Sequence, residues 1–507
     1  MASVRRSTSN APRQLGRDSR GGRCPDLIAA VGPRSYALVM PSLEHFQRRR
    51  AQLLDAIDRP TLLMAGGWRW RNYPHNYLPY RPDSNWLLFF DNHEPGSAAL
   101  FDPADRSVTL FLNERTAEDA LWHGSVPSFE DVGRHLGVSS VLPRSSLGES
   151  VAKIANGREV RSMAVADHDT TAYLRELTGE DLYFGDSERT ASRELIEAIG
   201  KIRLCKDEEE IAEMRRTAAV TREAHLLAMA ETRAGVSEQV LAGHVEGCFA
   251  RHGCVAAYNT ILSVRGEVLH NNDHGNVLQD TDIVLLDAGA ENSTGYCSDV
   301  TRSWPVSGKF GVEGAEIYDI VLAAECASID AVAPGARYRD LHLAASRVIA
   351  EGLAGMGLLR GNPDSLVETG AHALFFPHGV GHLIGLDVHD MEGFGDAIAY
   401  PSGRSRSDQF GLAYLRLDVD LQPGMTFTIE PGIYFVPAIL RSEDFRSRFK
   451  EQVDFDRAEA FLQMNEARGF GGIRIEDDVL CTEHGAEVLT ADIPKERTSV
   501  EALVGTA

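Results

Sequence analysis

Four carboxylates and one histidine, each in an apolar or glycine-rich segment, constrain the fold of this chain more than any other feature. The five residues are Asp287 in LLDAGAE, Asp299 in YCSDVTR, His382 in HGVGHLIG, Glu430 in TIEPGIYF and Glu476 in GIRIEDD. Burying a lone carboxylate is costly, so the fold must either protonate these acids or balance them with cations. The donors are hard oxygens and one imidazole, without a thiolate. This set favours Mn²⁺, Co²⁺, Fe²⁺ or a catalytic Zn²⁺ pair over a closed structural zinc site.

Taken alone, each of these residues also has an ordinary structural interpretation. Asp287 ends an apolar strand and Asp299 lies on the strand that returns after a turn, so a hairpin with solvent-facing acids would explain the pair. His378 and His382 are four positions apart, but the glycines between and after them disfavour a helix, so the two histidines need not share a role. Glu430 ends a buried strand before a proline, which is an unusual position for a solvated glutamate.

Composition restricts the class of protein. The chain has 507 residues, of which 43% are apolar and 25% charged, as in a soluble globular protein of two to three domains. A formal charge of −23 argues against nucleic-acid and anionic-membrane partners. No apolar run approaches the roughly 18 residues of a membrane span. Seven scattered cysteines without a CxxC pair indicate reduced thiols and a cytoplasmic location.

The chain divides into three parts. Residues 1–36 are rich in arginine, serine and glycine and are predicted to be a disordered extension, with an organellar transit peptide or a start at Met40 as alternatives. Residues 37–190 alternate short strands and helices and are predicted to form an α/β domain. A long polar helical stretch ending at Gly235 follows. Residues 191–500 mix helices with strong strands, which predicts a mixed sheet covered by helices on one side and open on the other.

Read in order, the motifs DAGAE, SDVTR, HGVGH, EPGIY and IRIEDD resemble those of the proline-specific metallopeptidases with the pita-bread fold, the aminopeptidase P and prolidase family. YRPDSNWLLFF and EPGSAALFD are similar to the N-terminal domain of that family. The resemblance extends over nearly all of residues 37 to 500. It implies an N-terminal α/β domain of the creatinase and aminopeptidase P type, followed by a pita-bread α+β catalytic domain.

The resemblance also implies the metal ligands. Asp287 would bind one divalent ion, His382 and Glu430 the other, and Asp299 and Glu476 both. Two ions roughly 3.5–4 Å apart hold a bridging hydroxide, which attacks the peptide bond. Mn²⁺ is the expected metal, with Co²⁺, Fe²⁺ or Zn²⁺ as alternatives.

Further residues match the catalytic machinery of the family. Glu430 would also carry a proton from the nucleophile to the leaving amine. His270, His378 and His389 would position substrate and stabilise the oxyanion, with His389 a candidate proton donor. Arg474 would orient the acids as an outer-sphere partner.

Two features leave the exact activity open. Asp287 and Asp299 are twelve positions apart, one more than in the family, so a shifted hairpin register would turn one aspartate away. Arg416 in FGLAYLRLDVDLQPGM matches an arginine with which prolidase binds the C-terminal carboxylate of a dipeptide. The sequence therefore predicts an Xaa-Pro aminopeptidase acting on proline-containing peptides, with prolidase as the alternative and a metal-free binding module as a remote one. Family members also form homodimers or homotetramers.

Overall fold

The computed structural model describes residues 41–124, 127–465 and 468–507. The prediction of a disordered extension over residues 1–36 lies outside these ranges. Within them, no helix combines the length and apolar character that crossing a bilayer requires.

The first part of the described chain is an α/β unit. Its first helix begins after Ser42, whose hydroxyl accepts a hydrogen bond from the backbone N–H of His45 and so caps the helix. The elements are α1 (Leu43–Ala56), β1 (Thr61–Met64), α2 (Ser84–Leu87), β2 (Ala98–Asp102), β3 (Ser107–Leu112), α3 (Ala117–His123), α4 (Phe129–Leu136), β4 (Ser140–Pro143), α5 (Leu147–Ala155), β5 (Arg161–Ser162) and α6 (His168–Thr178).

These strands form one sheet in the order β4-β3-β2-β1-β5. The central pairs β1–β2 and β2–β3 are antiparallel, whereas the two outer strands β4 and β5 pair in parallel. The segments TLLMAGG, SAALFDP and SVTLFLN contain β1, β2 and β3, in agreement with the predicted alternation of short strands and helices.

The helical stretch that follows differs from the prediction, because it is two helices rather than one. They are α7 (Arg193–Leu204) and α8 (Glu208–Glu231), so the second helix also ends before Gly235. Asp207 is the cause of the break. Its carboxylate accepts from the N–H groups of Glu209 and Glu210, and Glu210 bonds back to the Asp207 N–H, which makes a capping box that starts a new helix. The proposed domain boundary after residue 190 lies just before α7.

The larger part of the chain begins with α9 (Glu238–Arg251), β6 (Val255–Ala256), β7 (Ile261–Ser263), β8 (Ile283–Asp287), β9 (Ala290–Glu291), β10 (Thr301–Pro305), α10 (Val312–Asp330), α11 (Tyr338–Gly355), α12 (Pro363–Thr369) and α13 (Asp396–Ala399). It continues with β11 (Thr426–Ile429), β12 (Gly432–Tyr434), α14 (Pro437–Leu440), α15 (Glu443–Arg448), α16 (Phe455–Leu462), β13 (Gly472–Arg474), β14 (Asp477–Thr482), β15 (Gly485–Val488) and α17 (Arg497–Leu503).

Instead of the single mixed sheet that the sequence predicts, these strands form short ladders. They are β10-β8-β7, β11-β14-β15, β12-β13 and β6-β9. Two of them are parts of one interrupted hairpin. Ile429 pairs with Asp477 and Gly432 with Arg474, so both ladders share one register and the gap between them falls at Glu430 and Glu476. Pro431 explains the gap, since proline has no N–H to donate to the ladder.

Candidate metal centre

Glu430 and Glu476 lie opposite one another in the gap of that hairpin. The register that pairs Ile429 with Asp477 continues to place Glu430 across from Glu476. Like charges in directly opposite positions destabilise a strand pair, and here Glu476 is also buried. Two adjacent carboxylates at this point therefore require protons or cations between them.

Asp287 and Asp299 reach the same place from a second hairpin. Strand β8 pairs with β10 so that Asp287 lies opposite Thr301, two positions after Asp299. The hydroxyl of Tyr258 donates to Asp287 Oδ1 at 2.5 Å and also contacts Asp299 Oδ1. Both aspartates are buried and both face Tyr258. The extra residue in the turn thus leaves neither aspartate pointing away.

His382 approaches the acids from an irregular segment between α12 and β11, which agrees with the non-helical geometry expected for HGVGH. Its Nδ1 lies 3.0 Å from the carbonyl oxygen of Leu383, which leaves Nε2 as the free donor atom. Nε2 lies 3.4 Å from Asp299 Oδ2 and 3.8 Å from Glu430 Oε1. Gly381 permits this approach, because a Cβ there would lie 2.1 Å from the Thr428 carbonyl oxygen.

The donor atoms converge as a metal site requires. One donor atom from each of Asp299, His382 and Glu476 lies within 4.8 Å of the other two, and all three residues are buried. Glu430 lies beside this group, with its Oε1 3.8 Å from His382 Nε2. Asp287 is linked to the group by the Tyr258 hydroxyl, which contacts both aspartates. Oxygen donors with one imidazole suit divalent ions of the Mn²⁺ to Zn²⁺ series, so the residues present fit the predicted pair of ions.

The electrostatics of the acids agree with this fit. Burial raises the pKa of Glu430 to about 8; Arg474 opposes the shift, and Asp299 and Asp287 add to it. Burial and the neighbouring carboxylates also raise the pKa of Glu476 well above its usual range. Burial lowers the pKa of His382 to about 4, so its imidazole is neutral, the form that binds metals. Without bound cations the cluster holds protons in place of metal.

Arg474 is the cation that contacts this cluster directly. Its guanidinium donates to Asp287 Oδ2, to the Thr301 hydroxyl at 2.9 Å and to the Tyr434 hydroxyl at 3.1 Å. Thr301 in turn donates to Glu476 Oε2 at 2.6 Å. The predicted role of Arg474 as an outer-sphere partner of the metals stays a prediction. The direct partner, however, is Asp287, and Glu476 is reached only through Thr301.

The two acids that follow Glu476, Asp477 and Asp478, are both buried. Asp477 pairs with Arg302 at 2.7 Å and Lys495 at 2.8 Å on the side away from the cluster. Asp478 accepts the backbone N–H of Asp299 at 3.2 Å and so supports that ligand segment.

The cluster forms one wall of a cavity of about 790 Å³. The other predicted site residues line the same cavity, namely His270, His378, His389 and Arg416. His378 has both ring nitrogens engaged, Nδ1 with the Gly379 carbonyl at 2.8 Å and Nε2 with the Tyr434 hydroxyl at 2.9 Å. His389 Nδ1 lies 2.5 Å from Glu392 Oε2.

Among the polar residues that contact the predicted site residues, the sequence analysis did not identify Tyr258, Tyr434 and Glu392. Each contacts a residue distant in the chain, and a hydroxyl or a solvated glutamate carries no distinctive spacing. Glu392 had the clearest available signal, because it follows His389 by three positions. Its carboxylate contacts both His389 and Arg416.

The raised pKa values predict how the metal-free protein responds to pH. Between about pH 7 and pH 8 His382 is neutral in the folded protein and mostly neutral in the unfolded chain. Glu430 and Glu476, in contrast, bind their protons more tightly in the folded protein than in the unfolded chain. The free energy of unfolding should therefore fall with rising pH, by about 1–3 kcal/mol over this unit. Urea unfolding of chelator-treated protein measures it. Saturating Mn²⁺ should remove the decline, and a metal-free protein equally stable at both pH values would contradict the assignment.

A cavity lined by four carboxylates and a histidine, in the part of the chain that follows an N-terminal α/β unit, is typical of a metal-dependent hydrolase. Residues 212–483 match the model of metallopeptidase family M24, and residues 46–163 match the aminopeptidase P N-terminal domain. The chain belongs to metallopeptidase family M24.

Individual relatives cover nearly the whole chain. It is 32% identical to the Xaa-Pro aminopeptidase of Escherichia coli K12, over 91% of this chain and 98% of that one. It is also 32% identical to the Xaa-Pro dipeptidase of Homo sapiens, over 94% and 97%. Among solved structures, zinc-substituted E. coli aminopeptidase P in complex with product aligns with a TM-score of 0.74 at 30% identity, covering 91% of this chain and 98% of that one. Pseudomonas aeruginosa aminopeptidase PepP also aligns at 0.74, with 29% identity over 92% and 98%.

Proposed function

We propose that this chain is an Xaa-Pro aminopeptidase, which removes the N-terminal residue from peptides with proline in second position. The observation that carries the proposal is the convergence of four buried or half-buried carboxylates and neutral His382 on the wall of one peptide-sized cavity. The E. coli relative and the aligned structures named aminopeptidase P support the reaction and the class of substrate.

In this proposal two divalent ions, with Mn²⁺ as the first choice, are held by the five residues. Asp287 would hold one ion, His382 and Glu430 would hold the other, and Asp299 and Glu476 would contribute to both. When bound, the ions supply Lewis acidity that polarises the scissile carbonyl and activates water at neutral pH. Arg474 keeps Asp287 oriented and offsets part of the excess negative charge.

We assign proton transfer to Glu430, which follows the end of β11 and lines the acid-lined cavity. Its carboxylate takes the proton of the attacking water and delivers it to the leaving amine of proline. The hydrogen bond from His389 Nδ1 to Glu392 fixes the His389 tautomer and leaves Nε2 for the substrate. His378 works through the Tyr434 hydroxyl, which it holds at 2.9 Å beside Arg474. His270, on the loop after β7, lines the same cavity.

The pairing of Arg416 favours the aminopeptidase over the dipeptidase. Arg416 already contacts the Glu392 carboxylate, which also accepts from His389. Burial opposes ionisation of Glu392, but the hydrogen bond from His389 and the charges of His389 and Arg416 outweigh it and lower its pKa to about 2. A dipeptide carboxylate would compete with Glu392 for Arg416, whereas a longer peptide brings no carboxylate to the position.

The test compares an Xaa-Pro dipeptide with an Xaa-Pro-Yaa tripeptide on the Mn²⁺-loaded protein. The tripeptide should be cleaved faster, and Arg416→Ala should lower kcat/KM for both peptides by a similar factor. Glu392→Gln is the matched variant: it frees Arg416 and should raise dipeptide cleavage relative to tripeptide cleavage. A selective loss of dipeptide cleavage in Arg416→Ala would instead identify a prolidase.

Prolidase is the second candidate, because Arg416 does line the cavity and the human dipeptidase is as similar as the bacterial aminopeptidase. A metal-free binding module is the remaining alternative. Purified protein that binds less than one equivalent of dication and has no activity in Mn²⁺ would support that module.

We also propose a cytoplasmic location without nucleic-acid or membrane partners. Free cysteines in the described part of the chain and a formal charge of −23 support this proposal. We further propose a homodimer or homotetramer, which light scattering on the eluting protein distinguishes from a monomer.

A further inference from the structure

A second group of potential metal donors lies on helices α8 and α9, outside the acid-lined cavity. Glu223 belongs to α8 and Cys248 to α9. His252 is the C-cap residue directly after α9. Cys248 and His252 are four positions apart, so their side chains lie on the same face of the helix. Helix α8 packs against that helix and brings Glu223 to the pair.

The three side chains converge on one point. One donor atom from each lies within 4.8 Å of the other two. His252 Nε2 is 3.0 Å from Glu223 Oε2, while the other carboxylate oxygen, Oε1, faces Arg251 Nη2 at 3.3 Å. Cys248 is fully buried, whereas the side chains of Glu223 and His252 are 29% and 23% exposed. The point is therefore closed by the thiol on the protein side and open to solvent on the other.

We propose that Glu223, Cys248 and His252 bind a single thiophilic divalent cation of the Zn²⁺ or Co²⁺ type, independently of the catalytic metals. Sulfur, imidazole and carboxylate are the donors that Zn²⁺ accepts in tetrahedral sites, and three protein ligands leave the fourth position to water on the exposed side. Mn²⁺ prefers oxygen donors and binds thiolate poorly. The two sites of this chain thus differ in the metal they select.

The ordinary alternative is a hydrogen-bonded surface cluster around a buried cysteine. In the metal-free protein it is such a cluster: burial and the charge of Glu223 raise the pKa of the Cys248 thiol to about 11, so the buried sulfur is neutral. On metal binding the thiol proton is released to solvent and the cation takes its place on sulfur. The cation also takes the place of the direct contact between Glu223 and His252. Arg251 can keep Oε1 of the carboxylate and so orient the ligand from the outer sphere.

A cation at this point would connect α8 to the segment that carries Tyr258. That segment leaves α9 at His252, forms β6 and bonds to the strand end beyond Asp287 through Ala257 N–H and the Gly289 carbonyl at 2.9 Å. Tyr258 then contacts Asp287 and Asp299. The cation would therefore hold one wall of the catalytic cavity in place.

Cobalt absorption tests the proposal without relying on activity, because the proposed catalytic ligands contain no sulfur. Titrating the metal-free full-length protein with Co²⁺ should produce thiolate-to-cobalt charge-transfer absorption in the near ultraviolet. Cys248→Ser should lose this absorption and one equivalent of bound Co²⁺. Cys326→Ser, which removes a half-buried thiol 3.6 Å from the Glu325 carboxylate but without a histidine ligand, should retain both.

His252→Ala is the second variant, in case Cys248→Ser does not fold. It should weaken the Co²⁺ affinity of the thiolate site by at least about 10–100-fold, the loss that follows removal of even an outer-sphere partner. Equimolar Mn²⁺ should not displace Co²⁺ from this site. Absence of the charge-transfer absorption in the wild type, or its persistence in folded Cys248→Ser, would overturn the proposal.

Discussion

Glu430→Gln should abolish peptide hydrolysis while leaving the fold intact. The substitution keeps the shape of the side chain but removes the carboxylate that takes up and returns the proton, a function worth about 10²–10⁴ in rate. It also removes one proposed ligand of the ion that His382 holds. Because Glu430 is opposite Glu476 and has a raised pKa, the metal-free variant should be at least as stable as the wild type.

The measurement is kcat on an Xaa-Pro-Yaa peptide in Mn²⁺, together with metal content and urea unfolding. Glu267→Gln is the matched control, since Glu267 lines the same cavity but pairs with Arg265 rather than with the acid cluster. This control should keep most of the wild-type rate. If Glu430→Gln retained a rate within tenfold of the control, the proton-transfer role would have to be assigned elsewhere.

Arg474→Met should destabilise the metal-free protein far more than the metal-loaded one. Arg474 is buried and donates to Asp287, Thr301 and Tyr434, so its loss leaves a buried acid without its cation. Breaking a buried ion pair from one side costs about 3–5 kcal/mol. Bound divalent ions neutralise the same acid, so saturating Mn²⁺ should recover most of the loss.

Urea unfolding with chelator and with Mn²⁺ gives the two free energies. Arg215→Met is the control, because Arg215 pairs with Glu487 at 2.6 Å on the surface, and such pairs contribute about 0–1 kcal/mol. A loss of equal size with and without Mn²⁺ would mean that Arg474 stabilises the fold by packing alone. Its proposed electrostatic relation to the metals would then be wrong.

The local structure was largely predictable because it depends on short-range patterns. Apolar runs predicted the strand that ends at Asp287 and the strand that ends just before Glu430. The prediction of a continuous helix across Asp207 was wrong because the helical periodicity continues through a residue that also makes a capping box. Where two local signals compete, the hydrogen bonds of the folded chain decide.

Contacts between residues that are distant in the chain were harder to predict from the sequence. The sequence placed Arg474 beside the acids, but its contact with Asp287 depends on the meeting of two hairpins nearly two hundred residues apart. For the same reason the sequence did not predict the roles of Tyr258, Tyr434 and Glu392. A neutral hydroxyl or a single surface-like glutamate has no spacing that marks it, and only its neighbours in space reveal its role.

The sequence by itself determined the donor chemistry of this protein: four carboxylates, one imidazole and their order on predicted strands. Tertiary structure alone decided which of them face each other. It set Glu430 opposite Glu476, turned both aspartates toward Tyr258, neutralised Arg416 with Glu392, and brought Glu223 to Cys248 and His252. The physical reason is that backbone periodicity sets the direction of a side chain only within one element. Proximity between elements depends on how their buried faces pack.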